Sequence, residues 1–367
     1  MNTVKLSMSQ ALVKFLNKQY INDDGVENKF VKGFMGIFGH GNVVGLGQAL
    51  EQYKDQVIYY QGKNEQEIAH VCVAYAKQKR RKEIFACTAS IGPGSLNMVT
   101  AAGTATVNKI PLLLLPGDAY ADRQPDPVLQ QVESPTNYTI TANDCFKPVS
   151  KYWDRITRPE QLMTALMNAM RVLTDPAETG AVTLCLAQDV QGEDYDYPIE
   201  FFEKRVWYMD RRTLSEDAIR RAVALISRKK KPMIIAGGGV RYSDAAQALK
   251  EFAEEFNIPF AETQAGKGEI PWDHPLNLGC GGVCGTLAAN LMVKDADLII
   301  AVGTKLNDFV TCSKLAFQNT GMEIMTINVS PMDAIKMNAS SFVSDAREAL
   351  VKLKGTLKEK NINLDIQ

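Results

Sequence analysis

The stretch EIFACTASIGPGSLN, residues 83–97, decides the fold. Residues 83–87 form a strand-length apolar run, and Gly92-Pro93-Gly94 then bends the chain into a helix expected over about 95–107. A second apolar run at 111–115 follows as another strand. Strand, glycine turn, helix and strand make one parallel unit. Its turn, Thr88 to Asn97, leaves backbone N–H groups free at the carboxyl edge of the sheet, where ligands collect. The turn lacks the Lys-Ser/Thr ending of a P-loop. Ala101, Ala102, Gly103 and Ala105 are small enough to let the helix pack closely.

The same rhythm runs outward in both directions. Upstream, strands are expected at 34–38 and 56–60 and helices at 43–53 and 64–79, while residues 1–20 have helical spacing. Residues 191–213, Gly-Glu-Asp-Tyr-Asp-Tyr-Pro followed by charged and aromatic residues, break the rhythm and read as a linker. A second alternating unit follows. It has a helix at 215–227, a strand at 232–236, the turn Gly237-Gly238-Gly239, a helix at 244–256, strands near 297–302 and 323–329, and a helix near 345–357. The expected class is therefore α/β, with two doubly wound parallel-sheet domains at 1–190 and 214–367 joined by 191–213. A length of 367 residues agrees with two domains of ordinary size.

Composition narrows the function classes. The 41 Lys and Arg balance 42 Asp and Glu, so no general attraction for nucleic acid or an anionic membrane surface is expected. The longest apolar runs are strand-sized, and the first residues carry no secretory signal pattern, which together predict a cytoplasmic protein without a membrane partner. Seven cysteines in apolar contexts read as buried free thiols. Cys280 and Cys284 have no second pair or histidine cluster to complete a metal site, and no metal ligand is expected in the chain. Arg228 to Lys231 reads as a basic cap at a helix end, and His274 as a residue that fixes a loop.

Two segments besides 88–97 could carry chemistry. Gly39 to Gly45 follows a strand and opens a helix, but its spacing misses the dinucleotide fingerprint by one, and no acid ends the next strand. It reads as a glycine turn that lets a ligand approach the backbone, with His40 offering a polar contact, or simply as a tight turn. Glu65 shares a helical stripe with Ile68, Ala69, Cys72 and Ala76. On that face a carboxylate loses solvation and becomes an acid suited to proton exchange. Alternatively, Glu65 is a first-turn acid that faces water and complements the helix dipole.

These segments together resemble one superfamily, the thiamine-diphosphate enzymes related to acetolactate synthase and pyruvate decarboxylase. Asn64-Glu65-Gln66, in a helix that continues to Ala74-Tyr75-Ala76-Lys77, looks like that family's His-Glu-Gln helix ending in Gly-Tyr-Ala-Arg. Thr88 to Asn97 matches its Thr-x-x-x-Gly-Pro-Gly-x-x-Asn segment, and Ile110-Pro111-Leu112 the strand that follows. Gly266-Lys267-Gly268, Pro271, His274-Pro275-Leu276 and Leu278-Gly279 resemble its middle domain. The stretches 36–47, 86–88, 115–118 and 122–131 resemble a hydrolytic branch that opens a cyclic polyol dione to an open-chain acid in inositol catabolism.

The resemblance implies a pyrimidine-binding domain followed by a Rossmann-like middle domain, thiamine diphosphate and Mg²⁺ as cofactors, and a homo-oligomer. It makes Glu65 the catalytic residue that protonates the pyrimidine ring, lined by Thr88, Gly92, Pro93 and Asn97. His40, Asn42, Arg123 and Gln124 are expected to face the substrate. The family holds the diphosphate and Mg²⁺ through a Gly-Asp-Gly motif in a third, C-terminal domain, and this sequence contains no Gly-Asp-Gly. It is therefore expected to be the first two domains of a three-domain enzyme, inactive without its own third domain or a partner chain that carries one. The rival expectations are a carboligase or decarboxylase, a noncatalytic subunit completing a partner's site, and a plain nucleotide-binding module. Flavin against Gly237-Gly238-Gly239 is not expected.

Overall fold

Apolar runs of four or five residues become the centres of two parallel sheets. The computed structural model describes residues 2–362. It divides into two units, one ending at Asp210 and one beginning at Arg211. The first unit enters through β1 (Thr3–Ser7), the helix Met8–Leu16, and the hairpin of β2 (Gln19–Asp23) and β3 (Val26–Lys29). Its main sheet contains β4 (Val31–Gly36), β5 (Ile58–Gln61), β6 (Ile84–Ala89), β7 (Leu112–Asp118), β8 (Tyr152–Ile156) and β9 (Ala181–Ala187). The order is β5-β4-β6-β7-β9-β8, and every pairing is parallel.

Every residue of β6, β7 and β9 is buried, as strands covered on both faces require. Leu112 to Leu115 are wholly shielded, and each contributes about 2 kcal/mol of apolar burial. The Glu65–Gln78 helix covers one face through Ile68, Ala69, Cys72, Val73 and Ala76. Asn64 caps it by accepting from the Glu67 N–H at 3.0 Å.

Several local expectations are corrected. Residues 1–20 contain one helix between two strands; Ser7 and Gln10 form a capping box that starts it. The helix expected over 43–53 begins as a π turn, Val43–Gly47, because the Leu46 N–H donates to Gln191 Oε1 at 3.2 Å; the α-helix is only Gln48–Gln52. The helix expected over 95–107 is two, Pro93–Leu96 and Val99–Asn108, broken at Asn97 and Met98.

The stretch expected as a linker is largely built into the first unit. Its β10 (Asp194–Pro198) pairs antiparallel with β1, and its β11 (Arg205–Tyr208) lies parallel to β2. Alternating aromatic residues explain this: Tyr197 is fully buried, and Trp207 Nε1 donates to Gln19 Oε1 at 3.0 Å. The charged residues between them sit on the exposed sides of edge strands.

The second unit carries β12 (Pro232–Ala236), β13 (Phe260–Glu262), β14 (Asn277–Cys280), β15 (Leu298–Val302), β16 (Glu323–Asn328) and β17 (Ser340–Val343). They lie in the order β14-β13-β12-β15-β16-β17, all parallel, which is the Rossmann arrangement. The helices Glu216–Ser227, Ala246–Phe256 and Ala346–Glu359 pack on one core with Phe252, Phe260 and Leu350. The helix expected over 244–256 is Ala246–Phe256, and the glycine turn before it continues into a further short helix, Gly238–Tyr242, with Asp244 left-handed at φ 50° between the two. Residues 363–367 of the expected middle domain lie outside the described residues.

Candidate functional site

In the first sheet the chain leaves β4 for β5 on one side and returns to β6 on the other, so the carboxyl ends of β4 and β6 border a topological switch point. Hydrogen bonds lace this crevice floor together. Asn42 Oδ1 accepts from the Gly39 N–H at 2.9 Å, and its Nδ2 donates to Ile37 O at 3.2 Å and Thr88 Oγ1 at 3.1 Å. Thr88 Oγ1 donates onward to Leu115 O at 2.8 Å, and the Gly41 N–H donates to Ser90 Oγ at 3.1 Å. Asn42 and Thr88 are each 1 % exposed, so they support the crevice from below. Where the sequence suggested a residue facing substrate, the structure has Asn42 spend both Nδ2 donors and one Oδ1 acceptor position on holding the turn.

Glu65 stands at the first position of its helix, half-buried, above the buried stripe. Asn97, placed by the break between the two short helices, donates from Nδ2 to Glu65 Oε2 at 3.0 Å. Glu65 Oε1 has no partner among the described residues. A Cβ on Gly94 would stand 3.4 Å from that oxygen, so the glycine keeps a ligand's approach open. One carboxylate oxygen is thereby fixed and the other is free, an arrangement that can share a proton with a ring nitrogen brought against it. This donor set fits the pyrimidine end of thiamine diphosphate.

Gly92 caps Pro93–Leu96 with φ at 63°, and a Cβ there would lie 2.0 Å from Gln130 O. The turn therefore requires glycine for two reasons, a left-handed backbone and a close crossing by the 119–141 loop. His40 is half-buried, and its Nε2 hydrogen-bonds to Leu129 O at 2.7 Å, tying the same loop to the crevice. Arg123 lines a cleft beneath that loop and stacks 6.0 Å from the Tyr138 ring. Gln124 is exposed, does not line the cleft, and donates its backbone N–H to Asp122 Oδ1 at 2.9 Å.

Sequence reasoning missed the cleft's other half. Arg155 Nε donates to Asp118 Oδ2 at 2.8 Å and its Nη2 to Thr141 Oγ1 at 2.8 Å, with Asp144 as a further ion-pair partner. Burial opposes the charge on Asp144, but Lys147, the Thr141 N–H and Arg155 outweigh it and bring the carboxyl down to about 2. The available signal was length: residues 119–141 contain no helix or strand, and so long a bare connection is uncommon unless it serves a site. Gln191, assigned to the linker, is also central. It is 1 % exposed and donates from Nε2 to Gly41 O at 2.7 Å.

Other expectations fare variously. All seven cysteines are free, but only Cys72, Cys87 and Cys185 are buried. The Cys87 thiol is pushed well up by its contact with Cys72 and by burial, and Cys185 by burial. Among the described residues no group of three or more His, Cys, Asp or Glu side chains could hold a metal ion. His274 does fix its loop, accepting the Leu276 N–H at Nδ1 and bonding Glu254 through Nε2. Gly237 and Gly239 pack directly on Gly303, as a close strand-to-helix turn does. Among the described residues no helix is long and apolar enough to cross a membrane.

Residues 26–137 match the thiamine pyrophosphate enzyme N-terminal TPP binding domain, and residues 219–353 match the thiamine pyrophosphate enzyme central domain. A protein of Clostridium tetani (strain Massachusetts / E88), named 3D-(3,5/4)-trihydroxycyclohexane-1,2-dione hydrolase, is 59 % identical over 367 residues, covering all of this chain and 57 % of its own length. A Bacillus cereus (strain AH820) protein of the same name is 58 % identical over 359 residues, 98 % of this chain and 56 % of its own. The chain thus spans somewhat over half the length of these relatives. With Glu65, Asn97 and the Gly92 turn placed on the first of two parallel sheets, the chain carries the N-terminal TPP-binding domain and the central domain of the thiamine pyrophosphate enzymes.

Proposed function

We propose that this chain is the pyrimidine-binding and middle part of a thiamine-diphosphate-dependent hydrolase that opens the ring of 3D-(3,5/4)-trihydroxycyclohexane-1,2-dione to 5-deoxy-glucuronate, in inositol catabolism. The reading is supported by the names of its relatives. The single structural observation that carries it is the Glu65 carboxylate, with one oxygen held by Asn97 and the other free. Thiamine diphosphate, when bound, supplies a nucleophilic carbon that breaks a C–C bond beside a ketone. Glu65 shares its proton with the pyrimidine ring, Asn97 keeps the carboxylate aimed, and Gly92, Pro93 and Gly94 give the ring room. Thr88 and Asn42 hold the strand ends on which these groups stand.

Mg²⁺ and the diphosphate are assigned to a further domain bearing the Gly-Asp-Gly motif that this sequence lacks, carried by the same polypeptide or by a partner. The complete protein is read as a cytoplasmic homo-oligomer, which sedimentation of the complete enzyme checks. The central test is calorimetric titration of thiamine diphosphate with Mg²⁺ into this chain, alone and with the diphosphate domain added, while turnover of the dione is followed. Binding and turnover that require the added domain and are lost in Glu65→Gln support the reading. Turnover unaffected by Glu65→Gln overturns it.

A further inference from the structure

The cleft beneath the 119–141 loop contains two polar atoms that the fold leaves unfinished. Asn143 is 1 % exposed and donates from Nδ2 to Gly117 O at 2.8 Å, yet its Oδ1 is sealed from solvent without a partner. Gln131 Nε2, from the loop, is sealed in the same way. Leaving a buried donor or acceptor unpaired costs about 1–3 kcal/mol, so a site with one of each is completed by a group that both donates and accepts. A hydroxyl does so.

Charge decides against the commoner substrates of related chemistry. Arg155, behind the wall, is neutralised by Asp118 and Asp144. Apart from Asp118, the lining itself sets Arg123 against Asp126 and Glu133. A cleft so furnished disfavours an anionic 2-keto acid and suits an uncharged ring.

We propose that this cleft takes an uncharged polyhydroxylated ring, with Asn143 Oδ1 accepting from one hydroxyl and Gln131 Nε2 donating to one. The inference rests on the hydrolase reading above and moves substrate recognition from His40, Asn42 and Gln124 to Gln131 and Asn143. Gly92, which Gln130 O crosses, both lines the cleft and caps the short helix that ends at Asn97, the partner of Glu65. Every lining residue lies in the first unit, so binding can be tested on this chain.

The test is titration of the whole chain with trihydroxycyclohexane-1,2-dione, with unsubstituted cyclohexane-1,2-dione and with pyruvate, read by saturation-transfer NMR. The hydroxylated dione should bind at least about ten-fold more tightly than the bare one, because a site built for a hydroxyl rejects the analogue that lacks it. Gln131→Leu and Asn143→Leu should each narrow that gap about ten-fold while leaving the bare dione unaffected. Gln131 sits on the loop, so its variant serves if the buried Asn143 variant does not fold, and a thermal melt checks both. Folded variants that keep the wild-type preference overturn the inference and leave the hydrolase reading standing. Absence of binding by either dione overturns it too, whereas turnover by the complemented enzyme would still uphold the function. Preference for pyruvate sinks both.

Discussion

At the scale of single residues, Asn42 and Glu65 show what a sequence discloses about a side chain. The Glu65 stripe is legible because helical spacing names a face, and Ile68, Ala69, Cys72 and Ala76 are indeed buried beneath it. Asn42 misleads because a polar residue in a glycine turn reads as a ligand contact, and only three-dimensional closure reveals its three bonds to Ile37, Gly39 and Thr88. Asn42→Ala strands those partners in a buried place and should cost about 1–3 kcal/mol. Denaturant unfolding measures the loss, and an unchanged midpoint would return Asn42 to the ligand side. Asp144 offers a pH test. Its carboxyl titrates near 2 when folded, below the unfolded value of about 4. Its ion pairs with Arg155 and Lys147 therefore contribute fully above about pH 4 and are lost as pH falls toward 2. The wild-type melting temperature should converge on that of Asp144→Asn across that window, and parallel curves would remove Asp144 from the account.

At the scale of elements, apolar runs located β6, β7, β12 and β15, since burial on both faces leaves a run of four or five apolar residues in the sequence; the equally buried β9, interrupted by Thr183, and the three-residue β13 were not expected. β10 and β11 were illegible for the opposite reason: edge strands are half charged, and 194–208 resembles a linker until its partners β1 and β2 are known. The missed break at Asn97 has the same origin, because helix periodicity carries across a kink. The Gly92 turn, by contrast, was plain from Gly92-Pro93-Gly94, and it is also the element most exposed to substitution. Gly92→Ala forces an alanine to φ 63° and drives its Cβ onto Gln130 O. The expected result is displacement of the 119–141 loop and a stability loss of about 1–3 kcal/mol. Hydrogen exchange should rise in peptides covering 119–141, and unchanged protection there would mean that the crossing is not what holds the loop down.

At the scale of the whole molecule, each unit owns a six-stranded parallel sheet and its own core, and the prediction follows from that separation. Phe252 is fully buried among Leu249, Phe256 and Leu353 in the second unit. Phe252→Ala removes a large side chain from a filled core and should cost about 3–5 kcal/mol. If each core is a cooperative entity, that loss appears in one place only: exchange accelerates in peptides from 211–362, while the β6 and β7 peptides of the first unit keep their protection. The Glu65 and Asn97 pair should then remain intact in the variant. Acceleration spread evenly through both units would show that the molecule opens as one body, and substitutions far from the crevice would then have to be counted among those that weaken it.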